Sequence, residues 1–238
     1  MHIFYTPDIH NQESYTLSAD ESKHCIRVLR LKENDEVQLV DGRGNLYSGV
    51  INEPDPKGCK IVIKEMISDY HKRNFHLHIA IAPTKSTDRF EWFLEKVTEI
   101  GIDEVTPLLC SRSERGSIRF ERLDKVVVSA MKQSVIARKP VINEFTELGY
   151  FIKQETGSHV QKFIAHCAGG ARNNINQLYN PGKDIICLIG PEGDFTPEEI
   201  EWTTENHYQP VSLGINRLRT ETAGVVACEI FNFLNDSH

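Results

Sequence analysis

The chain lacks the marks of a secreted, membrane-spanning or metal-bound protein. No apolar run approaches the roughly 18 residues needed to cross a bilayer, and one of the longest is only Ile185 to Ile189. Met1-His2-Ile3-Phe4-Tyr5 shows no basic segment followed by an apolar one, so no secretory signal is expected and the cytoplasm is the expected compartment. The cysteines (Cys25, Cys59, Cys110, Cys167, Cys187, Cys228) form no C-x-x-C pair. Their scatter argues against a zinc site and against a disulfide framework, so no metal is expected. Cys110, Cys167 and Cys187 lie in or beside apolar runs, where a free thiol is expected to act as a small buried hydrophobe. Also missing are G-x-x-x-x-G-K-[ST] and any G-x-G-x-x-G after a strand, which excludes the usual phosphate-loop and dinucleotide fingerprints.

What is present is ordinary globular composition, with 39% apolar and 26% charged residues, enough to bury a core rather than stay disordered. A length of 238 residues allows one or two domains. The net charge of −7 is unevenly spread. Between Arg112 and Lys139 eight Lys/Arg stand against three acids, whereas from Pro181 onward three bases stand against ten acids. A locally basic surface can hold phosphates on an acidic protein. A solvated helix face accounts for the same run equally well.

Residues 1–70 read as short strands with one helix. Val37 to Val40 alternates, Asp41-Gly-Arg-Gly44 supplies a turn, and Asn45 to Ile51 returns. Ser18 as N-cap and Glu21 three residues later predict a capping box. A small β-barrel fits this pattern, with 68–74 as linker. From 75 to 238 strands and helices alternate, predicting a mainly parallel sheet covered on both faces. His76 and His78 alternate with apolar residues in the first strand and are expected to face away from the core.

Ligands of open α/β sheets sit beyond the carboxyl ends of the strands, and three loops are suited to that position. The first, Ile189-Gly-Pro-Glu-Gly-Asp-Phe195, follows an apolar strand that includes Leu188. Gly190 and Gly193 permit close backbone approach. Thr196, Pro197 and Glu199 then predict a boxed helix start. The second loop runs from Leu213 and Gly214 to Arg219, with Leu213, Ile215 and Leu218 as apolar walls. The third, Arg219-Thr-Glu-Thr-Ala223, opens the last helix, whose free N–H groups (around Thr220 and Glu221) suit polar or anionic groups.

The run from Leu188 to Phe195, with Leu213-Gly214 through Leu218-Arg-Thr-Glu-Thr-Ala223, resembles the SPOUT class of methyltransferases. The whole chain is more closely similar to the bacterial family that methylates N3 of a uridine in small-subunit (16S) ribosomal RNA. Ala82-Pro-Thr-Lys85 leading into Glu95 to Gly101, Ser111 to Arg115, and Lys132-Gln-Ser134 match that family. His24, Val28-Leu-Arg30 and Gly42-Arg-Gly44 resemble its PUA-like RNA-binding domain. The chain departs from the pattern at Asp194, where the family carries Gly, and at Val135-Ile-Ala137, where Gly-Arg-type residues are common.

The resemblance implies a PUA-like barrel over 1–70 and a SPOUT domain over 75–238, an α/β parallel sheet with a deep trefoil knot. It implies S-adenosylmethionine as cofactor, 16S ribosomal RNA or the small subunit as partner, and a homodimer with the site near the interface. Uridine N3 is a poor nucleophile until its proton is removed. Glu192 is the candidate base, and a loop-stabilising carboxylate is an equal alternative. Arg112 and Arg219 are candidates for stabilising a developing oxyanion or a phosphate. Lys85 and Gln133 could position RNA, together with Arg115 and Lys132 in the basic stretch. Arg27, Arg30 and Arg43 would clamp RNA from the barrel. Glu221 is expected to orient the cofactor loop.

Overall fold

The computed structural model describes residues 2–114, 118–154, 159–169 and 173–236. It divides into two compact units, Met1–Lys72 with Val128–Lys139, and Arg73–Val127 with Pro140–His238.

In the first unit, β1 (Ile3–Tyr5), β2 (Ser14–Thr16), α1 (Ala19–Lys23), β3 (Glu36–Val40), β4 (Leu46–Glu53) and β5 (Lys60–Ile67) follow in chain order. The strands form one sheet in the order β1-β3-β4-β5-β2, with only β1–β3 parallel. Alternating side chains bury Phe4, Leu39, Ile51 and Ile61 in its core. Ser18 caps α1 by accepting from the Glu21 N–H at 3.3 Å. The predicted reciprocal bond is not made: the Glu21 carboxylate pairs with Lys132 Nζ at 2.7 Å. A half-buried cation draws the carboxylate more strongly than one backbone N–H does. The helix continues as a π-turn over His24–Val28. Val128–Lys139 belongs to this unit because Ala137 is buried against Val40 and Leu46.

The second unit contains β6 (Leu77–Ile81), α2 (Thr87–Ile100), β7 (Glu104–Leu109), α3 (Phe120–Ser134, whose last turns lie in the first unit), β8 (Val141–Ile142), β9 (Thr146–Glu147) and α4 (Leu148–Gln154). There follow β10 (Gln161–Ala165), β11 (Asn173–Asn174), α5 (Ile175–Leu178), β12 (Ile185–Ile189), α6 (Pro197–Glu205), β13 (Gln209–Ser212) and α7 (Thr220–Asp236). The sheet is parallel throughout, ordered β11-β13-β10-β12-β6-β7-β8, with β9 beside β7. β6 and β12 lie at its centre, and every residue of both is buried. One apolar cluster joins this sheet to α2 and α7 through Phe93, Val97, Ala227 and Phe231. The opposite face packs Leu148, Phe151 and Tyr208.

Two expectations fail. His78 is not turned to solvent but buried at 4% exposure, because a central parallel strand is covered on both faces. Cys167, expected to be buried, is exposed because it lies beyond the end of β10; Cys110 and Cys187 are buried as expected. The His78 ring lies beside Thr106 and Glu104. Asn143 Nδ2 donates to Thr106 Oγ1 at 2.7 Å, and the same hydroxyl lies 2.7 Å from His78 Nε2. With Asn143 as donor, the Thr106 hydroxyl proton can go to Nε2, leaving Nδ1–H towards Glu104 Oε2 at 3.8 Å.

Burial lowers the His78 pKa from 6.5 to about 4, against the opposing pull of Glu104. Between those values the unfolded chain binds a proton that the folded chain refuses, so stability falls as pH falls. The expected loss from neutral pH to below pH 4 is roughly 3 kcal/mol. His78→Gln should flatten that acid limb in urea unfolding at pH 7 and pH 4.5. An unchanged slope would remove His78 as its source.

Candidate functional site

Three parallel strands end side by side at one edge of the second unit. β10 pairs with β12 and β13 on its two sides, so Ala165 is in register with Ile189 and with Val211. The chain leaves β12, crosses over through α6, and returns as β13 on the far side of β10. The strand order is thus interrupted at β10, and the loops diverge around a crevice, the placement at which α/β sheets bind ligands. A cavity of about 290 Å³ lies there, lined by the ends of all three strands and the start of α7.

The loop after β12 has a defined shape. The Asp194 N–H donates to Pro191 O at 2.9 Å, closing a turn, and Asp194 has φ +64°. That left-handed conformation explains why glycine suits the position in the pattern noted above. Here the aspartate steadies itself: Oδ1 accepts from Phe195 N–H at 2.9 Å, and Oδ2 accepts from Cys167 N–H at 2.8 Å. Downstream, Thr196 and Glu199 form the predicted reciprocal capping box at the start of α6. Buried Glu199 also accepts from Ser111 N–H at 2.7 Å. Arg112 comes with Ser111 to this loop and donates to Gly193 O at 2.9 Å and to Phe195 O at 3.4 Å. On the other side, Glu192 Oε1 accepts from Lys85 N–H at 3.1 Å. Thr220 Oγ1 donates to Gly190 O at 3.0 Å, which ties the start of α7 to the same loop.

Of the residues named from sequence, Ile189, Gly190, Glu192, Leu213, Gly214, Leu218, Arg219, Thr220 and Ala223 line the cavity. Leu188 lies in the core, and Gly193 packs against Arg112. Ile215 is fully exposed, while Glu221 is buried and its Oε1 lies 3.8 Å from Arg89 Nε. These four are not among the lining residues. Sequence reasoning did not single out Ala165, His166 or Cys167, which form one wall. The strand-end rule that flagged the other loops applies equally to the end of β10, and that signal was available.

Outside the cavity, Arg27, Arg30 and Gln133 are exposed. The Arg43 guanidinium donates to the carbonyls of Pro7 and Ile9 and pairs with Asp41 at 3.0 Å, so it ties together loops of its own unit. Lys85 pairs with Glu114 at 3.0 Å. Lys132 is held by Glu21. Arg115 lies outside the described residues. Among the described residues no group of His, Cys, Asp and Glu is arranged to hold a metal ion. Burial pushes the thiols of Cys110 and Cys187 up to about 12, so neither is a ready nucleophile.

Residues 71–232 match the model of the RNA methyltransferase domain, and residues 17–64 match that of the RNA methyltransferase PUA domain. The chain belongs to the RNA methyltransferase family. A probable rRNA-methyltransferase from Porphyromonas gingivalis is similar at 40% identity and TM-score 0.92, covering 100% of this chain and 99% of that one. The ribosomal RNA small subunit methyltransferase E of Rickettsia conorii is 27% identical over 94% of this chain and 92% of its own. The Neisseria gonorrhoeae methyltransferase E, solved bound to S-adenosyl methionine, shares the fold at 24% identity and TM-score 0.86, covering 98% of each chain. In this RNA methyltransferase the cavity therefore sits within the matched catalytic domain.

The Thr220–Gly190 bond joins two of the three loops in a buried setting. Thr220→Val should cost about 1–2 kcal/mol, since the Gly190 carbonyl is left without that donor. Chemical denaturation checks this; an unchanged midpoint would mean the loops are joined by other contacts.

Proposed function

We propose that this RNA methyltransferase transfers a methyl group from S-adenosylmethionine to N3 of a uridine in the 16S ribosomal RNA of the small subunit. The observation that carries the proposal is the cavity at the ends of β10, β12 and β13, closed by the start of α7. The relatives named ribosomal RNA small subunit methyltransferase E support the substrate.

The cavity fits the cofactor in size and chemistry. About 290 Å³ is near the lower end for small-molecule sites. Leu213, Leu218 and Ala223 supply apolar wall, and the N-terminus of α7 supplies N–H donors. Bound there, the cofactor supplies a methyl group on a sulfonium, whose transfer depends mainly on alignment. The residues of this chain align and activate the acceptor. Glu192, on the cavity wall, takes the N3 proton; its bond from Lys85 N–H orients the carboxylate. Arg219 stabilises the charge that spreads onto the base carbonyl oxygens. Arg112 acts through the loop, by holding the carbonyls of Gly193 and Phe195. Arg27 and Arg30 on the PUA unit contact RNA. Turning the uridine out of its stack costs a few kcal/mol, which such contacts offset.

The same proposal includes the trefoil knot, the homodimer and the cytoplasm. No helix among the described residues is long and apolar enough to cross a membrane. Trp92 on α2 and Phe233 on α7 expose apolar surface at 42% and 65%, surface of a kind that a second copy would cover. Phe233→Asp should shift the protein to monomer in light scattering; an unchanged mass would move the interface elsewhere.

Mass mapping of ribosomal RNA from cells lacking this gene tests the substrate. One uridine methyl group in 16S RNA should disappear and return with the wild-type gene. If none does, the target is another RNA. Arg219→Ala should lower transfer at least a hundredfold with an unchanged melting temperature; wild-type turnover would remove Arg219 from the chemistry.

A further inference from the structure

Asp194 does more than close a turn. Its φ of +64° is one that aspartate tolerates and glycine adopts freely, so turn geometry alone gives no reason for a side chain here. The side chain reaches from the loop after β12 to the end of β10, where Oδ2 accepts the Cys167 N–H at 2.8 Å. Its other oxygen accepts the Phe195 N–H at 2.9 Å. Two walls of the cavity are thereby latched by one carboxylate that itself lines the cavity. The other charged side chains of the lining, Glu192, Arg217 and Arg219, are exposed. Asp194 is only partly exposed and is held by two backbone donors, so its negative charge has a fixed place in the wall.

We propose that Asp194 is a positioning and specificity-determining residue whose carboxylate makes the cavity favour the cationic sulfonium of S-adenosylmethionine over the neutral thioether product, S-adenosylhomocysteine. The proposal rests on the cofactor assignment above. The two ligands differ by one methyl group and one positive charge. A fixed negative charge in a partly enclosed wall acts on that difference through space and needs no direct contact. A ligand-binding wall that discriminates by charge also favours release of the product over the incoming cofactor. The latch and the charge differ in their effect on the two ligands: losing a latch bond weakens both alike, whereas losing the charge weakens the cation alone. Asparagine tolerates the left-handed conformation and keeps one of the two latch bonds, but its NH2 cannot accept the other N–H and the charge is gone. Glycine keeps the turn and removes both.

Isothermal titration calorimetry on the full-length wild type, Asp194→Asn and Asp194→Gly, with each ligand, tests this. In Asp194→Asn the dissociation constant for S-adenosylmethionine should rise about three- to tenfold more than that for S-adenosylhomocysteine. In Asp194→Gly both should weaken, with the cationic ligand still losing more. Thermal unfolding of the ligand-free variants shows whether the fold is kept, and the glycine variant carries the test if the asparagine variant does not fold. An unchanged ratio of the two constants in either folded variant overturns the proposal, because a purely structural latch weakens both ligands alike. A wild type that binds neither ligand overturns instead the cofactor assignment on which the proposal stands.

Discussion

The site depends on the burial of β12 on both faces between β10 and β6. A strand with no wet face cannot slip by one residue without pushing its whole apolar set out of place. Its last residue, Ile189, is therefore held level with Ala165 and, across β10, with Val211. Because all three strands run the same way, their following loops emerge on one edge.

Once brought together, the loops are fastened to one another by polar bonds as well as by the packing of Phe195 and Leu213 on the core. Thr220 holds Gly190, Arg112 holds Gly193 and Phe195, Asp194 holds Cys167, and Lys85 holds Glu192. Each bond contributes about 1 kcal/mol net or somewhat more where a charged group takes part, small against the core but sufficient to select one loop conformation. Several of these residues look catalytic from sequence because they are charged and near glycines. In the fold, part of that charge is spent on backbone carbonyls and N–H groups. Arg43 shows the same economy in the first unit, where its guanidinium holds the carbonyls of Pro7 and Ile9.

Much of this was legible in the chain. The apolar run Ile185 to Ile189, the Thr196–Glu199 box and the start of α7 at Thr220 carry local signals, and the structure places them within a residue or two of expectation. Three expectations fail because neighbours in the chain do not report what the fold sets around a residue. His78 was assigned to the open side of a strand that has no open side. Cys167 was assigned to the interior by its apolar neighbours but falls past the strand end. Glu21 was assigned to its own helix cap but pairs with Lys132, 111 residues away.

By itself the sequence determined the alternation of strand and helix, the caps, the turns and the family motif, because each depends on residues close in the chain. Only the tertiary structure decided the rest. The order β13-β10-β12 brings Ala165, His166 and Cys167 to the cavity that the motif loops surround. The aspartate at 194, a departure from the motif in sequence, becomes the link between two cavity walls. Neither is local: strand order is set by which apolar faces can be covered together, and a side chain's partner is set by what that order places within about 3 Å of it.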